Sequence, residues 1–368
     1  MTAPSPTATR AHDGPGRRAL ADAPPAAERK SAVRRLVFTI LAALGVVLAL
    51  DAALCLLPED DYQRWRFADD AMGGRLRWIY ERIHFDPTPI DIAILGPSRA
   101  ELGFGAAAIE EDLRQHGRQA HVVNFALPGA GRDIQWAILD ELFKAKSPKV
   151  IVLEVEDQPY PFGHFMFKYV APAEAIAFPP TPFLHNQLYN LAYLPIRKLK
   201  LFGANLFPDL FGVSKRFDPE HYAQTRTDWT TSFIGEFGKR VDMEDPVPRA
   251  TLLAQRRAPV PRTPATRLFT WINGGEDHLF TQKIAHEAKV HGAQVIFVYL
   301  PMFNGSQATS DLDFLKQFGP ALDFGDLAQH DELFENWSHL NHAGAVKDRK
   351  STRLNSSHGG ISRMPSSA

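Results

Sequence analysis

Residues 36–57, LVFTILAALGVVLALDAALCLL, form a near-unbroken apolar run, and residues 90–157 and 276–347 alternate short apolar stretches with amphipathic ones. Twenty-two residues at 1.5 Å rise span about 30 Å, the thickness of a bilayer core, so this run predicts a transmembrane helix. Arg29, Lys30, Arg34 and Arg35 precede it, whereas Glu59, Asp60 and Asp61 follow. The positive-inside rule then places the N-terminus in the cytoplasm and the remainder in the periplasm or outside the cell. The run exceeds the 7–15 residues of a signal-peptide core, which favours a retained anchor. Its one charge, Asp51, lies near the outer end, where hydration or snorkelling accounts for it. Leu54, just before Cys55, is too large for the small residue of a lipoprotein cleavage site.

Beyond the anchor, residues 58–89 read as a connecting helix or linker. Trp65, Trp78 and Tyr80 in it suit either a membrane interface or a packed core. Residues 90–95 form a short apolar run between Pro89 and Gly96, the pattern of a buried parallel strand. A helix over 106–116, ended by Gly117, leads to a strand over 120–124. A helix over 133–146, with Asp133 able to cap its first turn, leads to a strand over 149–155. Later come a helix over 276–291, a strand over 293–300 and a short strand over 321–324. This alternation predicts an α/β domain over 90–347, with a parallel sheet covered by helices on both faces in three layers. Residues 158–273 break the rhythm with PYPFGHFMF and FPPTPFLHN and read as an irregular insertion over the active edge, a lid or binding surface.

Composition changes this picture little. Hydrophobic residues make up 45% and charged residues 23% of 368, a globular balance, and the net charge of −1 gives no pull toward nucleic acid. One cysteine excludes an intramolecular disulfide and a cysteine-based zinc cluster. The Pro-, Ala- and Arg-rich residues 1–35 read as a disordered cytoplasmic tail. Residues 348–368, DRKSTRLNSSHGGISRMPSSA, resemble translated sequencing-adapter sequence and read as no part of the fold.

Three segments carry chemistry. ILGPSRAELGFG puts Ser98 just past the first strand, at the sheet edge where α/β proteins bind ligands. VVNFALPGAGRD ends the second strand in a turn whose Gly129 and Gly131 let backbone approach a ligand. FENWSHLNHAGA supplies His339, whose ordinary pKa suits a general base for a serine hydroxyl. Backbone N–H groups of Ser98 and Gly129 are candidate oxyanion donors. SHLN also fits a helix cap, and Arg99 fits either an anionic substrate or a pairing with Glu101. His342 stands three residues after His339, but no third ligand accompanies the pair, so no metal site follows. His164 and His185 fall in the insertion and read as structural.

GPSR, NFALPG and WSHLNHAGA, in this order and strand context, resemble the first, second and fifth blocks of the SGNH (GDSL-like) hydrolases and acyltransferases. The resemblance implies an SGNH/flavodoxin-like sheet, Ser98 as nucleophile, Gly129 as oxyanion glycine, His339 as base, and no metal or organic cofactor. Membrane-bound relatives acylate envelope polysaccharides, so the implied substrates are acylated carbohydrates or other esters, within an envelope polysaccharide machinery. Two departures stand out. Asn336 occupies the place of the family's Asp three residues before the histidine, with Glu335 beside it. EVEDQP replaces the block holding the oxyanion asparagine, leaving Gln158 as the nearest amide and Glu154, Glu156 and Asp157 as an acidic edge. A silent SGNH-like domain that binds glycan or scaffolds a complex is the alternative these departures allow.

Overall fold

The computed structural model describes residues 26–68, 75–158, 160, 162–181, 184, 186–211, 216–224, 232–234, 240–243, 247–255, 263–264, 267–268 and 275–347. The expectations for residues 1–25, for His185 and for 348–368 lie outside these.

Helix α1 runs Ala26–Cys55, beginning ten residues before the apolar run. Its stretch Lys30–Cys55 is long and apolar enough to cross a membrane. The chain divides into two compact units, residues 1–53 and 54–368.

In the second unit, helices α2 (Asp61–Phe67) and α3 (Arg75–His84) come first. They decide two open readings. Residues 58–89 hold helices, and these belong to the domain, because Trp65, Leu76, Ile79 and Ile83 are completely buried in the main core. Trp65 and Tyr80 are therefore core residues, and the half-buried Trp78 packs on Phe125, with ring centroids 5.9 Å apart.

Strand β1 (Ile92–Leu95) is followed by helices α4 (Ser98–Gly103) and α5 (Ala106–Gln115), then β2 (Val122–Asn124), α6 (Arg132–Ala145) and β3 (Val150–Val155). Residues 158–273 contribute α7 (Phe167–Val170), α8 (Ala173–Ala177), α9 (Gln187–Leu206), α10 (Pro219–Gln224), a hairpin of β4 (Ser232–Ile234) and β5 (Arg240–Asp242), and α11 (Arg249–Gln255). Then come α12 (Glu276–Val290), β6 (Gln294–Tyr299), α13 (Leu312–Leu315) and β7 (Ala321–Asp323). A short antiparallel pair, β8 (Phe334–Asn336) and β9 (His339–Leu340), closes the domain before helical residues 342–347.

Five strands pair in parallel in the order β2-β1-β3-β6-β7. Because side chains alternate across a strand, odd and even positions serve different cores. Ala93, Leu95, Ile151, Leu153, Val295 and Phe297 join the cluster that includes α3, α6 and α12. Ile92, Ile94, Val150, Ile296 and Val298 join the other, with α4 and the β8–β9 pair. Two-sided burial explains why these strands read as unbroken apolar runs. The chain order reverses at β1 and β3, and the crevice at their carboxyl ends is where such sheets place their chemistry.

Candidate active site

Gly96 makes the first turn possible. A Cβ there would stand 2.5 Å from the Ala100 Cβ and 2.8 Å from that of Glu154, so only glycine lets α4 start this close to β3. Pro97 occupies the cap position and Ser98 opens the helix. Proline pre-sets the dihedral of that turn and gives up no needed N–H. The Asn124 side chain then ties α4 to the second strand. Its amide nitrogen donates to the carbonyls of Ala100 and Phe104, each at 2.9 Å, and its oxygen accepts from Ala126 N–H at 3.0 Å.

The chain after β2 continues the ladder beside β1. Phe125 N–H donates to Ile94 O (2.8 Å) and Leu127 N–H to Gly96 O (2.9 Å), which lays the glycine turn beside the serine turn. Gly129 and Gly131 both adopt positive φ, 103° and 141°. A Cβ on Gly129 would meet the His164 ring 2.6 Å away, and one on Gly131 would strike the His164 backbone. His164 is the clamp. Its Nδ1 accepts from Met166 N–H (3.1 Å), which fixes the proton on Nε2, and Nε2–H donates to Pro128 O at 2.9 Å. No described peptide bond is cis. In a trans peptide the C=O and N–H point opposite ways, so anchoring Pro128 O turns the Gly129 N–H away from His164. Burial holds the His164 imidazole down to about 4, leaving it neutral. Sequence reasoning left His164 as a structural residue of the insertion; only the fold brings it under this turn.

Asp133 does not cap α6, whose cap position is Gly131. Its carboxylate instead accepts from His164 N–H (2.7 Å) and Ile134 N–H (2.8 Å), so it holds the clamp from below.

The β8–β9 pair delivers the third component. His339 Nε2 lies 2.7 Å from Ser98 Oγ, although 241 positions separate them. Its other nitrogen, Nδ1, lies 3.0 Å from Asn336 Oδ1. The same oxygen accepts from the backbone N–H groups of Ser338 (3.0 Å) and His339 (3.1 Å) and from the Ser338 hydroxyl (3.1 Å). Two backbone donors require an oxygen there, so the amide orientation is determined by the turn itself. His339 is thereby held as the Nδ1–H tautomer with its Nε2 lone pair facing the serine proton. Burial, and secondarily the charge of Arg99, lowers the His339 pKa to about 4. Asn341 is the cap that SHLN suggested, since its Oδ1 accepts from Gly344 N–H at 2.9 Å, leaving His339 free for Ser98.

Arg99, the next residue, pairs with other partners than Glu101. Its guanidinium lies 3.1 Å from Glu154 and 3.6 Å from both Glu156 and Asp157. Glu101 instead faces Arg75 at 3.8 Å. Burial would lower the Arg99 pKa, but the three carboxylates outweigh it and raise it. The acidic edge is thus not a solvated one: Glu154 is completely buried, and burial lifts its carboxyl to about 8 despite Arg99. Gln158 is exposed just beyond it. Among the described residues no group of three His, Cys, Asp or Glu side chains is placed to hold a metal ion, and His342 gives its backbone N–H to Met243 O.

The structure therefore brings Ser98, His339 and Asn336 into one hydrogen-bonded line at the carboxyl edge of the sheet, beside the Gly129 turn. No family model matches the chain, and no curated protein matches it significantly.

Proposed function

We propose that this chain is a membrane-tethered serine esterase or O-acyltransferase of SGNH type, acting on acyl groups of envelope glycans. The observation that carries the reading is the line Asn336 Oδ1–His339–Ser98 Oγ, with contacts of 3.0 and 2.7 Å. The 2-1-3-6-7 strand order and a core on each face of the sheet are what a three-layer SGNH/flavodoxin-like domain requires. In this reading α1 spans the membrane, and the basic residues before it keep the N-terminus cytoplasmic.

His339 Nε2 removes the Ser98 proton as Oγ attacks the acyl carbonyl carbon. Charge gathers on the carbonyl oxygen, which the Ser98 and Gly129 N–H groups stabilise. Collapse breaks the ester C–O bond, and the leaving alcohol takes the proton from Nε2. Water or a sugar hydroxyl then gives its proton to the same nitrogen and attacks the acyl-serine, releasing acid or a new ester and restoring Ser98.

A silent glycan-binding or scaffold domain is the second reading. It is favoured by the lack of an oxyanion asparagine in EVEDQP and by the uncharged Asn336. A fluorophosphonate probe separates the two. The catalytic reading expects covalent labelling of the full chain that Ser98→Ala abolishes, with loss of short-chain ester turnover in both Ser98→Ala and His339→Ala. Wild-type protein that neither labels nor turns over ester belongs to the second reading.

A further inference from the structure

Helix α9 turns an apolar face outward. A helix that borders water carries its charges outward and its apolar stripe inward. In α9 the polar residues Gln187, Asn190, Arg197 and Lys198 are buried together with Leu194, Leu201 and Ala204. Leu188, Leu191, Ile196, Leu199 and Leu206 are exposed, by 82, 42, 49, 51 and 54%. These leucines and isoleucine recur at intervals of three to seven residues, so they form one stripe along the length of the helix. Phe207 and Leu210, just past the helix end, are also exposed, by 60 and 80%. Contiguous apolar surface on this scale marks an interaction site rather than a solvent face.

Chain connectivity selects the occupant. Glu59 receives the inward cations of α9, at 3.1 Å from Arg197 and 3.6 Å from Lys198. Glu59 comes only four residues after Cys55, where the membrane-length helix ends, and four residues reach at most about 14 Å. The middle of α9 is therefore bound to the first residues that leave α1. The helix holds three cations and no acidic residue, with Lys200 on its outer side. An aliphatic helix face flanked by Lys200, with no carboxylate on the helix and exposed Asp209 only in the turn beyond it, fits the acyl–headgroup boundary of an anionic leaflet, where amphipathic helices sink about 5–10 Å.

We propose that the outer face of α9 lies in the bilayer surface. The domain is then held against the membrane by two elements instead of trailing from one. This rests on the reading of α1 as a membrane span.

The test uses the full chain with Cys55→Ser, reconstituted in phosphatidylethanolamine–phosphatidylglycerol vesicles, with a bimane probe on single cysteines. Lipids brominated on their acyl chains serve as quencher. Leu199→Cys reports the α9 face and Leu44→Cys reports α1. Glu111→Cys, exposed on α5 at the opposite face of the sheet, is the control. The proposal expects a severalfold loss of emission at positions 199 and 44 and none at 111. Quenching at 44 without quenching at 199 overturns the proposal and leaves the anchor intact. A probe at 199 that is shielded from water yet unquenched assigns the face to a protein partner or a second copy, and overturns it as well. Absence of quenching at 44 removes the anchor reading and this inference with it.

Discussion

In the catalytic reading, Asn336 is the residue on which the chemistry turns. Replacing the acid of a Ser-His-Asp triad by Asn can cost about 10⁴ in rate, through the wrong imidazole tautomer. That penalty does not follow here, because two backbone N–H groups hold the amide oxygen toward His339. What Asn336 lacks is charge, and nothing on its side of the ring offsets the burial that keeps His339 near 4. The base works when unprotonated, so wild-type kcat/KM for an ester should persist as pH falls and be lost only toward pH 4. Asn336→Asp places a carboxylate on Nδ1–H, raises the imidazole pKa and moves the acid limb to higher pH. At neutral pH it should also raise kcat by stabilising the imidazolium that forms in the transition state. A pH profile of both proteins decides it: superimposable acid limbs would mean that His339 is not the titrating base. The candidate triad was legible at this scale, since NWSH sets the Asn336 oxygen three residues before the histidine, but the amide orientation that makes it serviceable depends on a turn no spacing reveals.

At the scale of elements, the glycine turn and its clamp make the next prediction. His164 touches no reacting atom; it acts on Gly129 through the carbonyl of Pro128. Losing one oxyanion donor typically costs about 10²–10³ in turnover. His164→Ala should therefore lower kcat toward that range with little change in KM, and His164→Gln, whose amide can still donate to Pro128 O, should recover much of it. Equal losses in both variants, or a loss confined to KM, would reduce His164 to a packing residue. The sheet strands and their helices were readable because each is an apolar run buried on both faces or an amphipathic stretch buried on one. Boundaries agree to within two residues, as for β3 at Val150–Val155 against 149–155. The segment 158–273 was not readable for the converse reason. In α9 half of the buried positions are polar, Gln187, Asn190, Arg197 and Lys198, beside Leu194, Pro195, Leu201 and Ala204, and apolar residues also cover the exposed face, so hydrophobic periodicity does not mark the buried side and the mid-helix Pro195 points away from helix. His164 was illegible because its partners lie some 30 positions back along the chain.

Across the whole molecule, the central strand ends in a carboxyl group buried where charge is least tolerated. Glu154 sits beneath Gly96 and beside Arg99, between the serine turn and the middle of the sheet. Its backbone carbonyl receives Arg132 from α6 at 2.7 Å, and Arg132 also meets Asp277 of α12 at 3.2 Å, so one point ties three elements together. Burial raises its pKa from 4.5 to about 8, with the Arg99 charge opposing. The folded form thus holds a proton that the unfolded chain releases near 4.5. Stability from this group is full below pH 4.5 and is lost as pH rises through 8, because over that range the folded state binds the extra proton. Glu154→Gln carries the neutral shape permanently and has no such proton to lose. Thermal melts from pH 5 to 9 should show the wild-type Tm falling relative to that of Glu154→Gln, with the gap opening between pH 5 and 8 and levelling above. A constant gap across the range would mean that Glu154 stays ionised against Arg99, and that the centre of the fold is held by a full ion pair, not by a protonated acid.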